Sequence, residues 1–211
     1  MITIIIPTYL IDRELVKLTK TCLQTLRANT KRKDYELIVI DNASPIKMEY
    51  YADIYVRNKV NLGNGKAWNE GLKLASGDIL LLADNDVEFS ENWTDLIPHV
   101  TDDTIIFPKT FCREQTHPTA KLAGFFWLIN RNTFNKLGYI PEQYGLGNFE
   151  DTDYFFFAQQ NMVKLKCVEN VTIKHYGRAT CDKVAWIKDN FERNERLYVE
   201  KYGYNFPHLD N

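Results

Sequence analysis

The chain has 211 residues, 45% of them hydrophobic and 26% charged, enough for one well-filled core and short for two independent ones. Lys and Arg number 26 against 28 Asp and Glu, a formal net charge of -2 that lacks the basic excess of a dedicated nucleic-acid binder. Cys22, Cys112, Cys167 and Cys181 form neither a CxxC pair nor a disulfide-dense pattern, which predicts reduced thiols and a cytoplasmic location.

Ile2 to Ile6 is a β-branched run stopped by Pro7 and reads as a buried strand; without a basic n-region and with so short an apolar stretch, it is not a signal peptide. Leu15, Leu18, Cys22 and Leu26 then recur near helical spacing. Glu36 to Ile40 is a second strand that stops at the turn formers Asp41-Asn42-Ala43-Ser44-Pro45. After a third strand at Ile54 to Arg57, Ala67, Trp68, Gly71, Leu72 and Ala75 mark one helix face, and Ile79 to Ala83 is a fourth, buried strand. Alternating strands and helices predict an α/β domain: an open, mostly parallel, Rossmann-like sheet with helices on both faces, ligands lying beyond the carboxyl ends of the strands. The second half is less regular, with strands at Thr104 to Phe107, Phe125 to Asn130 and Val171 to His175, a polar segment from Lys109 to Lys121, and a charged helix from Ala185 to Tyr202. No run of about 20 apolar residues suits a membrane span, so a soluble chain is expected, with peripheral attachment to a membrane left open.

Asp84-Asn85-Asp86 follows the fourth strand. Two carboxylates at that spacing suit a Mg or Mn ion that also holds phosphate oxygens, although Asp-Asn-Asp is equally ordinary turn chemistry. Upstream, in Asn61 to Gly71, glycines precede a helix where a diphosphate could approach the backbone; such joints also occur for packing alone.

Taken in order, Ile4-Ile5-Ile6-Pro7-Thr8-Tyr9, Val39-Ile40-Asp41-Asn42-Ala43-Ser44, Asn61-Leu62-Gly63 through Asn69-Glu70-Gly71, and Gly77-Asp78 leading to Asp84-Asn85-Asp86 resemble family 2 glycosyltransferases of the GT-A fold. The likeness continues through Gly124-Phe125-Phe126, Arg131, Phe134, Leu137-Gly138, Phe149-Glu150-Asp151-Thr152-Asp153 and His175-Tyr176-Gly177. It implies a single GT-A-type domain over 1–211, with residues 1 to about 95 binding a nucleotide sugar and the rest carrying the acceptor side and base. The implied activity is an inverting, metal-dependent sugar transfer with Mn or Mg, a UDP-sugar being preferred as donor over a deoxythymidine one.

On the matching positions, the resemblance implies that Pro7, Thr8 and Tyr9 line the nucleoside pocket and that Asp41 accepts hydrogen bonds from the base. It also places Asn61, Gly63 and Asn69 in the donor-binding stretch. Asp84 would lie near the ribose and metal, Asp86 would be the more direct metal ligand, and Asp151 the catalytic base beside Glu150. Glu150 and Asp153 could instead orient the acceptor or serve as helix N-terminal charge. His175 could complete the metal site, meet the diphosphate, or be a satisfied structural histidine. Lys66 and Arg178 could neutralise phosphate, or be solvated surface. Among aromatic residues, Trp127 and Tyr144 are candidates for stacking on a sugar, with core packing the alternative.

Two rival readings are a nucleotidyltransferase, which would carry glycine directly after the first strand where Pro7-Thr8-Tyr9-Leu10-Ile11 has none, and a degenerate glycan- or partner-binding module, which intact acids disfavour. The acceptor is expected to be a glycan, a glycolipid precursor or another hydroxyl compound. Hydroxylated DNA bases are a lesser alternative, since Lys183, Lys188, Arg193, Arg196 and Lys201 alternate with Asp189, Glu192, Glu195 and Glu200.

Overall fold

The computed structural model describes residues 1–30, 35–112, 124–177, 179–180, 183–184 and 186–203. The strands are β1 (Ile2–Thr8), β2 (Tyr35–Asp41), β3 (Ile54–Arg57), β4 (Ile79–Ala83), β5 (Val87–Glu88), β6 (Thr104–Cys112), β7 (Phe126–Asn130) and β8 (Lys164–His175). The helices are α1 (Arg13–Asn29), α2 (Asn64–Leu74), α3 (Arg131–Leu137), α4 (Glu150–Gln160) and α5 (Trp186–Tyr202), with a 3-10 helix at Trp93–His99.

All eight strands form one sheet in the order β3-β2-β1-β4-β7-β6-β8-β5. Every residue of β1 is buried, because both faces of the sheet are covered. Ile4 and Ile6 pack with Leu15, Cys22 and Leu26 of α1 and Trp93 of the 3-10 helix. Ile5 packs on the opposite face with Ala67, Trp68 and Leu72 of α2 and with Phe134 and Phe155 of α3 and α4. A strand wedged between helix layers has no polar side, hence the unbroken apolar run. Asp12 caps α1 by accepting a bond from Leu15 N at 2.9 Å, where a side-chain oxygen takes one of the orphan amides.

The α/β domain with helices on both faces of an open, largely parallel sheet is what forms. β1, β2, β3 and β4 pair in parallel, as do β6 and β8. The antiparallel exceptions are β7, inserted between β4 and β6, and β5 against β8.

Two expectations need correction. β8 begins at Lys164 rather than Val171, and β6 runs past Phe107 into the polar segment, through Lys109 to Cys112. The ladder shifts register between Pro108, paired with Val168, and Lys109, paired with Thr172. Proline has no amide to donate there, and the alternating exposure of charged residues along β8 hides its strand character. Trp127 and Tyr144 are 1% exposed and serve the core, Trp127 against Tyr154 and Phe155 and Tyr144 against Phe149. Neither lines the cleft described below, so neither can stack on a sugar there. Among the described residues no helix is long and apolar enough to cross a membrane.

Candidate active site

Beyond the carboxyl ends of β1 and β4 lies a cleft of about 380 Å³. Asp84 and Asp86 enter it from the turn after β4. His175 is brought beside them because β5 pairs with the end of β8, setting Val87 opposite His175, while Tyr176 N donates to Asp86 O at 3.0 Å. His175 Nε2 is 3.1 Å from Asp86 Oδ1. One potential ligand atom from each of Asp84, Asp86 and His175 lies within 4.8 Å of the others. The imidazole is stacked on Phe125, centroids 3.9 Å apart. Burial first, and the Asp86 charge second, push Asp84 up to about 7. Two adjacent carboxylates and one imidazole brought together in the cleft fit a divalent cation that would neutralise the acids.

A second acidic centre comes from the start of α4. Gly147, Asn148 and Phe149 all have positive φ, 132°, 68° and 77°, and this left-handed stretch turns the chain so that Glu150, Asp151 and Thr152 in the first helical turn line the cleft. Asp151 is held on both sides. Its Oδ2 accepts from Gly124 N at 3.1 Å and its Oδ1 from Thr152 N at 2.7 Å. Burial raises its pKa above the ordinary carboxylate value, against the lowering effect of those amides. Glu150, 6% exposed, is pushed up to about 8 by burial and then by the Asp151 charge.

At the nucleoside end, Pro7, Thr8, Tyr9, Asn61 and Gly63 line the cleft as expected from sequence. Gly63 begins α2 with φ 86°, and a Cβ there would lie 2.0 Å from Gly145 O, so the position excludes any other residue. Asp41 is fully buried and does not line the cleft. Its carboxylate accepts from Ser44 N at 2.8 Å, from Tyr55 Oη at 2.9 Å and from Arg57. Its neighbour Asn42 is the residue that faces the cleft, tying Asn61 Oδ1 and Leu62 N to the end of β2. Asn69 likewise does not reach the cleft: its amide is taken up by Ile140 N and O and by Glu142, each at 2.9 Å. Lys66 is half-buried on α2 and outside the lining. Arg178 lies outside the described residues.

Several contributors carry no signal in the sequence alone. Asn64 donates to Asp84 Oδ1 at 3.1 Å. Leu146, Gly147, Asn148 and Phe191 complete the wall. α5 holds that wall through fully buried Asn194, whose Nδ2 donates to Tyr144 O, Gly147 O and Asn148 O at 2.7, 2.8 and 3.1 Å. Asp153, fully buried, anchors the same helix by accepting from Lys201 Nζ at 2.8 Å and Tyr202 Oη at 2.6 Å. Lys201 is thereby engaged inward and Lys183 pairs with Asp12 and Glu14, which breaks up the basic row considered for DNA.

The sequence matches the model of Glycosyl transferase family 2 over residues 3–158. No curated protein matches the chain by sequence. Among solved structures, S. aureus TarS 1-349 in complex with UDP-GlcNAc superposes with a TM-score of 0.72 at 17% identity, over 99% of this chain and 68% of that one. GalNAc-T7 with UDP, GalNAc and Mn2+ gives 0.69 at 17% identity, over 83% and 44%. The mannosyltransferase PcManGT from Pyrobaculum calidifontis with GDP-Man and Mn2+ gives 0.63 at 18%, over 82% and 56%. The chain spans only 40% of a longer TarS chain that it also matches.

Proposed function

The chain belongs to Glycosyl transferase family 2, and from that premise we propose that it moves a sugar from a nucleoside diphosphate sugar, a UDP-sugar before a deoxythymidine one, to a hydroxyl of a glycan or glycolipid precursor, with inversion. The observation that carries this reading is the meeting, in one cleft, of the Asp84, Asp86 and His175 cluster with the separately held Asp151 carboxylate.

In this reading Pro7, Thr8, Tyr9 and Asn61 receive the nucleoside, with Asn42 shaping that end. Asp86, Asp84 and His175 would hold Mn or Mg, which would supply positive charge to the leaving diphosphate. The acceptor hydroxyl oxygen forms a bond to the anomeric carbon as the bond from that carbon to the diphosphate oxygen breaks, the electron pair leaving with the diphosphate. Asp151 takes the hydroxyl proton. Its raised pKa brings it nearer the operating pH, which makes it a better proton acceptor. One displacement from the face opposite the leaving group inverts the centre. Gly124 N–H and Thr152 N–H keep the carboxylate from turning away.

The test is thermal stabilisation and donor hydrolysis across UDP-, dTDP- and GDP-sugars with Mn, Mg or EDTA. Stabilisation by one nucleotide sugar, abolished by EDTA, is the expected result. A folded protein that binds none of them under any metal condition would end the transferase reading.

A further inference from the structure

Two buried polar atoms of cleft-lining residues have no hydrogen-bond partner among the described residues: Trp68 Nε1 and Glu150 Oε2. Their side chains are 2% and 6% exposed, and both residues line the cleft. Buried polar groups are nearly always satisfied, so an orphan in a cleft wall marks where something else supplies the partner. Trp127 Nε1 is also orphaned, but its ring packs edge-on against Trp68 and does not line the cleft.

Their position follows from the elements that carry them. Trp68 lies one helical turn beyond Asn64, on the same face of α2, and Asn64 touches Asp84 at 3.1 Å. Glu150 precedes Asp151 and packs on the start of α2, its Cβ and Cγ 3.4 Å from where a Cβ on Gly65 would sit. Both side chains belong to the lining that also holds the Asp84 and Asp86 cluster and, from the start of α4, the Asp151 carboxylate, and Glu150 feels the charges of both Asp151 and Asp84. With the diphosphate at the cluster and the acceptor hydroxyl at Asp151, the anomeric carbon must lie between them, and the sugar ring attached to it must lie against this lining.

We propose that Trp68 Nε1 and the Glu150 carboxyl form a subsite for hydroxyl groups of the transferred sugar, and so help determine which sugar nucleotide the cleft accepts; the inference rests on the donor reading above. The chemistry is complementary. An indole N–H only donates and a carboxyl oxygen accepts, whereas a sugar hydroxyl does both. A site built to hydrogen-bond a hydroxyl rejects an analogue lacking it, because its own polar atoms are then left unpaired.

The experiment compares wild type with Trp68→Phe, which keeps the ring and removes the N–H. Affinities are measured with Mn present for UDP, dTDP and GDP and for their glucose, galactose, N-acetylglucosamine or mannose derivatives. For the sugar nucleotide that wild type prefers, Trp68→Phe should bind about three- to tenfold more weakly, the span of one neutral hydrogen bond, while its affinity for the parent diphosphate stays unchanged. Independently of any variant's folding, the indole N–H resonance of Trp68 in 15N-tryptophan-labelled wild-type protein should move on adding that sugar nucleotide and stay in place on adding its diphosphate. Equal loss for diphosphate and sugar nucleotide, no loss for either, or an unmoved resonance would overturn the subsite and leave the donor reading standing. A wild type that binds no nucleoside diphosphate would overturn both.

Discussion

Replacing Gly124 by alanine tests whether Asp151 works only when held in place. A Cβ at this position would lie 2.2 Å from Asp151 Oδ2, 2.5 Å from its Cβ and 2.7 Å from its Cγ. Because the overlap reaches the Cβ, turning the carboxylate alone gives no relief, and the first turn of α4 must shift. Overpacking of this kind costs about 1–3 kcal/mol, which in a domain of this size lowers Tm by about 2–4 °C per kcal/mol. The shift also breaks the 3.1 Å bond from Gly124 N. Losing an aligned general base slows turnover by about 10²- to 10⁴-fold. Donor hydrolysis, diphosphate affinity and Tm should be measured for wild type, Gly124→Ala and Asp151→Asn. Both variants should lose turnover and keep diphosphate binding, because the Asp84, Asp86 and His175 cluster is untouched. They should part on stability: Gly124→Ala melts lower because of the overlap, whereas Asp151→Asn, which overlaps nothing and removes a buried carboxylate, loses less, although it keeps an oxygen for only one of the Gly124 and Thr152 amides. Gly124→Ala turning over at the wild-type rate despite a lowered Tm would refute the claim that Asp151 must be held there to act.

Asp86→Ala should abolish stabilisation by a nucleoside diphosphate with Mn, which in wild type amounts to about 2.7 kcal/mol at a hundredfold excess over Kd; calorimetry in which the variant matches wild type would remove Asp86 from the metal site. Asn194→Ala leaves three carbonyls of the 144–148 wall without their donor and should cost about 1–3 kcal/mol, read as a lower denaturation midpoint. Glu150 binds its proton more tightly folded than unfolded, its pKa moving from 4.5 up to about 8. Its contribution to stability is therefore fully present below about 4.5 and is lost as pH rises through about 8. Glu150→Gln should accordingly gain Tm over wild type between pH 5 and pH 8 in EDTA, and parallel Tm curves would contradict that linkage. Gly63→Ala, forced into φ 86° and against Gly145 O, should destabilise by more than 1 kcal/mol.

Much of the first half was legible because local rules govern it. Apolar runs at Ile2 to Ile6 and Ile79 to Ala83, each ending in turn formers, place Pro7, Thr8, Tyr9, Asp84 and Asp86 at strand ends, and strand ends in such a sheet face one cleft. The helix beginning after Gly63 was equally readable, since only glycine tolerates that backbone beside Gly145. Motif position, however, says nothing about where a side chain turns. Asn69 sits inside the matching stretch yet pins Ile140, and Asp41 sits at a strand end yet is enclosed by Ser44, Tyr55 and Arg57.

What the sequence by itself determined is therefore the fold class, the alternation of strands and helices along the first half and the identity of the acidic residues, all set by periodicities and turn chemistry within a few residues of each other. What only the tertiary structure decided is which distant groups meet: His175 beside Asp86 through the pairing of β5 with β8, Asp151 against Gly124, Asn194 under the 144–148 wall, and the orphaned Trp68 and Glu150 in the lining of one cleft. Such meetings depend on strand register and helix docking between segments far apart in the chain; a one-residue change of register in β8 would by itself turn His175 to the other face of the sheet.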